Sequence, residues 1–128
     1  MKFILALLLS MPCLVAAKTI PLNNPDEVKV ELAKPGPVVL LYGTTWCPAC
    51  ENFKPVYEKL SDEVSGVRFY TMDCDKLRLT EHKDAFQYIP TTFVGKSGQD
   101  LRDNPCKIGE KGRDIKTLKE EITKCLGN

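Results

Sequence analysis

Short apolar runs alternate along the chain with segments in which apolar residues recur at helical spacing. Apolar runs bounded by turn residues are typical of strands, whereas apolar residues three and four positions apart are typical of one helix face. We therefore predict five strands, over Lys18–Leu22, Val38–Tyr42, Val67–Met72, Ile89–Val94 (which opens with a turn) and Cys106–Gly109. We also predict four helices, the first after Asn24 and the others over Cys47–Val64, Leu77–Phe86 and Asp114–Leu126.

Individual residues refine this outline. Asn24 suits a helix N-cap and Pro25 the first helical position. The unbroken apolar run Val38–Tyr42 predicts a central strand that is buried on both faces. Pro55 falls inside the second helix and predicts a kink, and Gly98 predicts a hairpin tip before the last strand. The order β-α-β-α-β-α-β-β-α is that of a single α/β sandwich domain.

Residues 1–17 have the three parts of a secretory signal peptide: one lysine, an apolar run over Phe3–Leu9 and small residues that end at Ala17. The apolar run is shorter than the ~20 residues of a membrane-spanning helix. Lipid attachment at Cys13 is disfavoured by the proline directly before it. We therefore predict cleavage after Ala17, one domain over residues 18–128, and a periplasmic or secreted location.

Composition and charge exclude several classes of partner. The 128-residue chain is 43% hydrophobic and 27% charged, which is ordinary for a globular protein. Loss of the signal peptide removes one of the 18 basic residues, so 17 basic and 17 acidic residues balance. Such a domain has no electrostatic footprint for nucleic acid or an acidic membrane surface, and we expect neither as a partner. Export places the five remaining cysteines in an oxidising compartment, where disulfides persist.

The segment Trp46–Cys50, Trp-Cys-Pro-Ala-Cys, lies where the predicted central strand gives way to a helix. Cys47 is at the helix N-terminus, where unpaired N–H groups and the helix dipole favour an anion. This lowers the pKa of its thiol and raises the thiolate fraction. Cys50 lies one turn further in and is expected to be more buried. We therefore expect Cys47 to attack disulfides and Cys50 to resolve the mixed disulfide.

Two other uses of a Cys-x-x-Cys pair are half of a zinc site and an inert structural disulfide. The chain has too few further ligands for a four-ligand zinc site, because it has no second Cys-x-x-Cys pair and His82 is its only histidine. His82 lies in a polar segment and is expected to be a solvated surface residue. We expect no metal and no cofactor, and the inert disulfide stays open at this point.

The chain resembles the thioredoxin family at four places within residues 19–126. The segment Trp46–Cys50 follows an apolar strand, and Pro55 lies five residues after the second cysteine, where the family kinks its helix. Ile89–Thr91 resembles the family's cis-proline loop, and Lys107–Gly109 precedes the last helix. The resemblance implies an α/β thioredoxin fold, with a central mixed β-sheet flanked by helices in a three-layer sandwich.

The resemblance also implies how substrates bind. It places Cys47 exposed at one end of the central strand, with Pro90 in cis and facing the cysteine pair. The backbone of Ile89 would then pair with an extended substrate segment, a form of β-augmentation. The apolar residues expected to line a shallow groove around the reactive sulfur are Trp46, Pro48, Ile89 and Ile108.

Two interior positions depart from the family's pattern. Thioredoxins carry a buried Asp six residues before the first cysteine, thought to relay a proton to and from the resolving thiol, and a lysine partner on the next strand. Leu41 and Phe69 occupy these places here, which argues against fast, thioredoxin-type reductase turnover. Pro48-Ala49 also replaces the usual Gly-Pro, and Glu51 replaces a usual lysine and adds negative charge near the pair.

The fold implied by the resemblance also pairs two further cysteines. Its last helix runs back along the last strand, and the ~20 Å length of the helix matches that of the strand. We therefore expect a disulfide between Cys106 and Cys125, whose 19-residue loop would contribute on the order of 3 kcal/mol. Cys74 is left as a free thiol or, alternatively, a regulatory or dimer-forming one. The carboxylates of Asp73 and Asp75 should disfavour its thiolate.

Together these features predict an exported thiol-disulfide oxidoreductase that exchanges disulfides with cysteine-containing exported proteins through a mixed disulfide on Cys47. Reduction is slightly favoured over oxidation, because one small domain without a helical insertion resembles thioredoxin more than the larger disulfide-donating oxidases. We expect a monomer, recycled by an unidentified redox partner and not inserted in a membrane after signal cleavage. The alternative is a non-catalytic secreted binding module, against which the presence of both cysteines, Trp46 and Ile89–Pro90 argues.

Overall fold

A computed structural model describes residues 19–77 and 88–127 of the chain. The predicted signal peptide, His82 and nearly all of the helix predicted over Leu77–Phe86 lie outside these described residues. The elements in chain order are β1 (Thr19–Leu22), α1 (Pro25–Leu32), β2 (Val38–Gly43), α2 (Pro48–Glu63), β3 (Arg68–Asp73), β4 (Thr91–Gly95), α3 (Gly98–Asp103), β5 (Cys106–Ile108) and α4 (Ile115–Gly127). The strands and helices predicted in these ranges are confirmed to within a few residues at their ends, and α3 is an addition.

The strands of the described residues form one mixed sheet in the order β1-β3-β2-β4-β5. β1, β3 and β2 run parallel, whereas β4 and β5 pair with their neighbours in antiparallel fashion. β2 is the central strand and its residues Val38–Leu41 are buried, as the unbroken apolar run predicts. The three parallel strands bring their carboxyl ends to one edge of the sheet, and α2 begins at this edge.

Successive side chains of β2 enter two different cores, which gives the domain three layers. Val39 and Leu41 pack with residues of α2 and α4. Val38 and Leu40 pack with residues of α1 and α3 on the other side. This alternation follows from the two-residue period of a strand. α2 is fixed further by the buried hydroxyl of Tyr57, which donates to a backbone carbonyl of β3 at 2.6 Å.

The first helix begins as predicted. The side chain of Asn24 accepts a hydrogen bond from the Glu27 N–H at 2.9 Å, and Pro25 is the first helical residue. The Glu27 carboxylate in turn accepts one from the Asn23 N–H at 2.8 Å. This reciprocal capping satisfies backbone donors that have no partner inside the helix.

The prediction of a hairpin tip at Gly98 is wrong, because this residue begins the short helix α3. Ser97 accepts a hydrogen bond from the Asp100 N–H at 3.1 Å, and Asp100 accepts one from the Lys96 N–H at 2.7 Å. Such a reciprocal pair starts a helix. Glycine is needed at position 98 for space, since a Cβ there would lie 2.8 Å from the Leu32 Cα and closer still to its carbonyl.

The disulfide expected between Cys106 and Cys125 is present in the structure. It joins the start of β5 to the last turns of α4, with the two Cα atoms 5.9 Å apart. Both cysteines are half-buried and pack against the core that contains Leu118 and Ile122 of α4. The cross-link therefore holds α4 and the edge strand of the sheet together.

Candidate active site

Cys47 and Cys50 lie between the end of β2 and the first turn of α2. Cys47 is the N-cap of α2, and its sulfur accepts a hydrogen bond from the Cys50 N–H at 3.2 Å. The two side chains are joined in a disulfide, with Cα atoms 5.2 Å apart. At the N-cap, unpaired N–H groups and the helix dipole favour negative charge. Reduction therefore leaves Cys47 as the better thiolate of the two.

Both cysteines of the pair are buried. Cys47 is 5% exposed and Cys50 is 3% exposed, so the expectation of an exposed Cys47 is wrong, whereas Cys50 is slightly the more buried of the two. The loop before β4 accounts for part of this cover, because the carbonyl oxygen of Ile89 lies 3.9 Å from Cys47 Sγ. The loop before β4 therefore borders the reactive sulfur.

The loop before β4 brings backbone polar groups to the reactive sulfur. Its Ile89–Pro90 peptide bond is cis. The hydroxyl of Thr91, the first residue of β4, donates a hydrogen bond to the carbonyl of Tyr88 in this loop. Ile89 and Pro90 are both half-buried. The Ile89 carbonyl is thus a hydrogen-bond acceptor placed directly beside Cys47.

The predicted groove residues divide between surface and core. Trp46 is 68% exposed, Pro48 is exposed and Ile89 is half-buried. The prediction for Ile108 is wrong, because it is 4% exposed and packs with side chains of α2 and α4 in the core. Sequence reasoning also missed Tyr88, which is 75% exposed and adds an aromatic ring to the loop before β4.

A carboxylate that sequence reasoning did not connect with Trp46 orients its indole ring. The Trp46 Nε1–H donates a hydrogen bond to Asp75 at 2.6 Å. Asp75 follows β3, whose carboxyl end lies beside that of β2. The available signal was the position of Asp73–Asp75 after the third strand, at the same end of the sheet as Cys47. The contact itself depends on the strand register.

Cys74 is the free cysteine of the described residues. Burial raises the pKa of its thiol to about 11, and the carboxylates of Asp73 and Asp75 add to the increase. The predicted effect of the carboxylates is confirmed in direction, although burial is the larger cause. Cys74 therefore stays protonated at neutral pH, unlike the thiol expected at Cys47.

The interior behind the pair is apolar at the two positions that depart from the family's pattern. Leu41 is 5% exposed and Phe69 is 1% exposed, and both belong to the core shared with α2 and α4. Glu51 forms an ion pair with Lys54 at 2.9 Å, with both side chains about half exposed. Its charge is therefore balanced and screened by solvent.

Residues 19–77 and 88–127 give no support for metal binding by a residue cluster or for a membrane-spanning helix. No group of three or more histidine, cysteine, aspartate or glutamate residues is placed so that it would hold a metal ion. Within the same ranges, no helix has the length and apolar character that crossing a membrane requires.

Comparison with known proteins places this geometry in a family. The sequence model of the Thioredoxin family matches residues 19–124. Thioredoxin Asp f 28 of Aspergillus fumigatus is 33% identical over 106 residues, which are 83% of this chain and 95% of that protein.

Solved structures agree with the sequence comparison. The reduced thioredoxin pre-protein of Schistosoma mansoni is similar with a TM-score of 0.64 at 27% identity, over 84% of this chain and 97% of that one. The J-Trx1 fragment of ERdj5 gives a TM-score of 0.70 over 87% of this chain and 53% of that one, but at 17% identity it supports the fold alone. The mixed sheet flanked by helices is the thioredoxin fold, and the cysteine pair at the start of α2 carries thiol-disulfide exchange. The chain belongs to the thioredoxin family of thiol-disulfide oxidoreductases.

Proposed function

We propose that this oxidoreductase works outside the cytoplasm, as a monomer, and reduces disulfides of other exported proteins. The arrangement that carries the proposal is the Cys47–Cys50 pair at the start of α2, beside the carbonyl of Ile89. Two features support export. Residues 1–17 have the pattern of a signal peptide. The Cys106–Cys125 disulfide is typical of proteins in oxidising compartments.

The exchange proceeds in two steps. The Cys47 thiolate attacks one sulfur of the substrate disulfide, whose S–S bond breaks, and the second substrate sulfur leaves as a thiolate and takes up a proton. Cys50 then loses its proton and attacks the Cys47 sulfur. The Cys47–Cys50 bond forms and the first substrate sulfur leaves in reduced form. Two electrons pass from the pair to the substrate, and a dithiol partner must return them.

The surface around Cys47 suits an extended, apolar peptide segment. Trp46 is 68% exposed and Tyr88 is 75% exposed, so two aromatic rings are available for contact. A substrate N–H that donates to the carbonyl of Ile89 would add the segment to this loop as a strand. Because the mature domain has no net charge, the apolar fit should decide substrate choice rather than electrostatic steering.

The direction of exchange depends on the reduction potential of the pair relative to its compartment. We propose reduction because the matched region is one small domain that covers nearly all of a thioredoxin. Equilibration with glutathione buffers, followed by the fluorescence of the chain's one tryptophan next to Cys47, measures this potential. A value near the ~ −270 mV of thioredoxin supports reduction. A value near ~ −120 mV, that of a strong oxidant, would make oxidation the direction instead.

Turnover of insulin disulfides with dithiothreitol as the reductant tests whether the pair does this chemistry. We expect Cys47→Ser to abolish protein-dependent reduction, since no mixed disulfide forms at this position. Cys74→Ser is the matched control and should keep full turnover, because it removes a cysteine that stays protonated. Equal turnover by Cys47→Ser and the parent protein would overturn the proposal.

A further inference from the structure

A cavity of about 160 Å³ lies behind Cys50, at the carboxyl ends of β1, β3 and β2 and beside the first turns of α2. Its lining extends from Cys50, which is buried, to Lys54 and Lys76, which are exposed. The volume is far above the ~10–15 Å³ of accessible space that one water molecule requires. The cavity therefore gives water a path from the surface to the resolving cysteine.

The alternation of side chains along β3 directs Asp73 toward the same side of the sheet as Cys50. Tyr70 and Met72 enter the core shared with α1 and α3, whereas Phe69 enters the core shared with α2. Asp73 ends the strand four residues after Phe69, so its side chain projects from the face that carries α2. Asp73 also lines the cavity.

The register of β2 against β3 shows how near Asp73 comes to the resolving sulfur. Its register partner is Gly43, and a Cβ at Gly43 would lie 3.2 Å from Cys50 Sγ. Neighbouring strands are about 4.8 Å apart, so the Cβ of Asp73 lies on the same face about one strand spacing from that point. The carboxylate and the sulfur thus border one cavity, at a separation that water in the cavity can bridge.

Hydrogen bonds fix one oxygen of the Asp73 carboxylate and leave the other open. Oδ1 accepts from the backbone N–H groups of Asp75 at 2.9 Å and Lys76 at 3.1 Å. Within residues 19–77 and 88–127, Oδ2 has no partner, and the one side-chain polar atom that is both buried and unpaired is Thr44 Oγ1. Asp73 Oδ2 is therefore open to water, on a carboxylate that the turn after β3 holds in place.

Asp73 is the one anion among the described residues that line the cavity. Lys54 and Lys76 carry ammonium groups, which have donors and no acceptor. Glu51, next to Cys50, is exposed, pairs with Lys54 at 2.9 Å and does not line the cavity. The other polar side chains of the lining are neutral hydroxyls and one amide, on Thr44, Thr45, Thr71 and Asn23. The carboxylate is thus the group of this cavity suited to receive a proton.

The resolving step releases a proton at a buried atom. Cys50 must lose its proton before it attacks, yet it is 3% exposed and burial disfavours its thiolate. We propose that the carboxylate of Asp73 takes this proton, through a water molecule in the cavity, as the Cys50 thiolate forms. The inference rests on the two-step exchange proposed above and adds the destination of the proton to it.

The proton leaves Cys50 Sγ for the water, which passes one of its own protons to Asp73 Oδ2. The Cys47–Cys50 bond then forms, the bond between Cys47 and the substrate sulfur breaks, and the released thiolate takes a proton from solvent. Asp73 returns its proton to solvent through the open end of the cavity, so the carboxylate is ready for the next turnover.

The test separates attack by Cys47 from resolution by Cys50. Protein with the Cys74→Ser background is reduced with one equivalent of dithiothreitol, which is then removed, and a count of two free thiols checks that the active pair alone was reduced. It is mixed in a stopped-flow instrument with one equivalent of the chromogenic disulfide dithiobis-nitrobenzoate. Attack by Cys47 releases one coloured thiolate, and resolution by Cys50 releases the second.

Asp73→Asn removes the charge and keeps an oxygen that can accept the two hydrogen bonds of the turn. We expect an unchanged first phase and a second phase about tenfold slower at pH 7. This is below the roughly 10²–10⁴-fold effect typical of a general base, because solvent can also take the proton through the cavity. The difference should shrink as the pH rises and hydroxide replaces the carboxylate. Asp62→Asn, an exposed position of α2 outside the cavity, is the matched control and should change neither phase.

A carboxylate that merely lay near Cys50 would give the opposite result. Its charge would disfavour the thiolate, so the neutral side chain of Asp73→Asn would favour Cys50 as a thiolate and speed up the second phase. The direction of the change therefore distinguishes a proton acceptor from a neighbouring charge.

A second phase in Asp73→Asn that is as fast as in the parent protein, or faster, would overturn this inference alone. Equal slowing of both phases would also overturn it, because it would indicate a general disturbance of the site. Absence of the first phase in the parent protein would overturn the proposed function together with it. If Asp73→Asn does not fold, Asp73→Ser makes the same comparison, because a hydroxyl can also accept hydrogen bonds of the turn.

Discussion

Removal of the Cys106–Cys125 disulfide should destabilise the domain by an amount that follows from its loop length. The bond closes a loop of 19 residues between β5 and α4. By chain entropy, a cross-link over this length stabilises the folded state by about 3 kcal/mol, because it restricts the unfolded chain. The loop contains Leu118 and Ile122, which are fully buried in the core. Removal of the disulfide therefore also affects the native contacts of α4.

The double variant Cys106→Ala/Cys125→Ala should therefore melt about 12 °C below the parent, since 1 kcal/mol corresponds to roughly 4 °C in a domain of this size. Circular dichroism during heating measures the difference, with the Cys47–Cys50 pair kept oxidised in both proteins. Cys74→Ala is the matched control, because it removes a half-buried cysteine that closes no loop. A decrease of less than about 3 °C in the double variant would refute the chain-entropy reasoning.

Two further predictions concern Cys74 and Gly98. With a pKa of about 11, Cys74 holds roughly one thiolate in ten thousand molecules at pH 7, so iodoacetamide should modify Cys47 of the reduced protein first and reach Cys74 only as the pH rises toward that value. Mass spectrometry that found both alkylated together at pH 7 would contradict this. Gly98→Ala should destabilise the domain by about 1–3 kcal/mol, because its Cβ would lie 2.8 Å from the Leu32 Cα. Gly127→Ala meets no atom within 4 Å and serves as the control; equal melting temperatures for the two variants would count against the steric account.

The apolar pattern predicts most of the fold because strand and helix periods are local properties. The run Val38–Tyr42 has no polar interruption, and only a central strand between two helical layers buries both of its faces. The hairpin tip predicted at Gly98 is wrong because glycine occurs both in turns and where two elements approach each other closely. Only the distance to α1 shows that Gly98 is needed for a close approach, and this distance is not visible in the sequence. Ser97 and Asp100 do carry a capping signal that favours a helix at this position.

In the active site too, features set by neighbouring residues can be predicted from the sequence, whereas contacts between distant elements cannot. Cys47 and Cys50 are recognisable because their chemistry depends on neighbours in the sequence. The contact of Trp46 with Asp75 depends on the register of β2 against β3, which the sequence does not specify. The resemblance places Ile108 in the groove, but it lies in the core; β5 has three residues, too few for an alternating pattern to show which face its side chain joins.

The central claim is that Cys47 forms a covalent bond with the substrate sulfur and that Cys50 releases it. Reduced Cys50→Ser should therefore trap oxidised insulin as a mixed disulfide, which peptide mass spectrometry under non-reducing conditions locates. We expect an adduct at Cys47 that dithiothreitol releases and that Cys47→Ser does not form. No adduct, or an adduct at Cys74 instead, would contradict it.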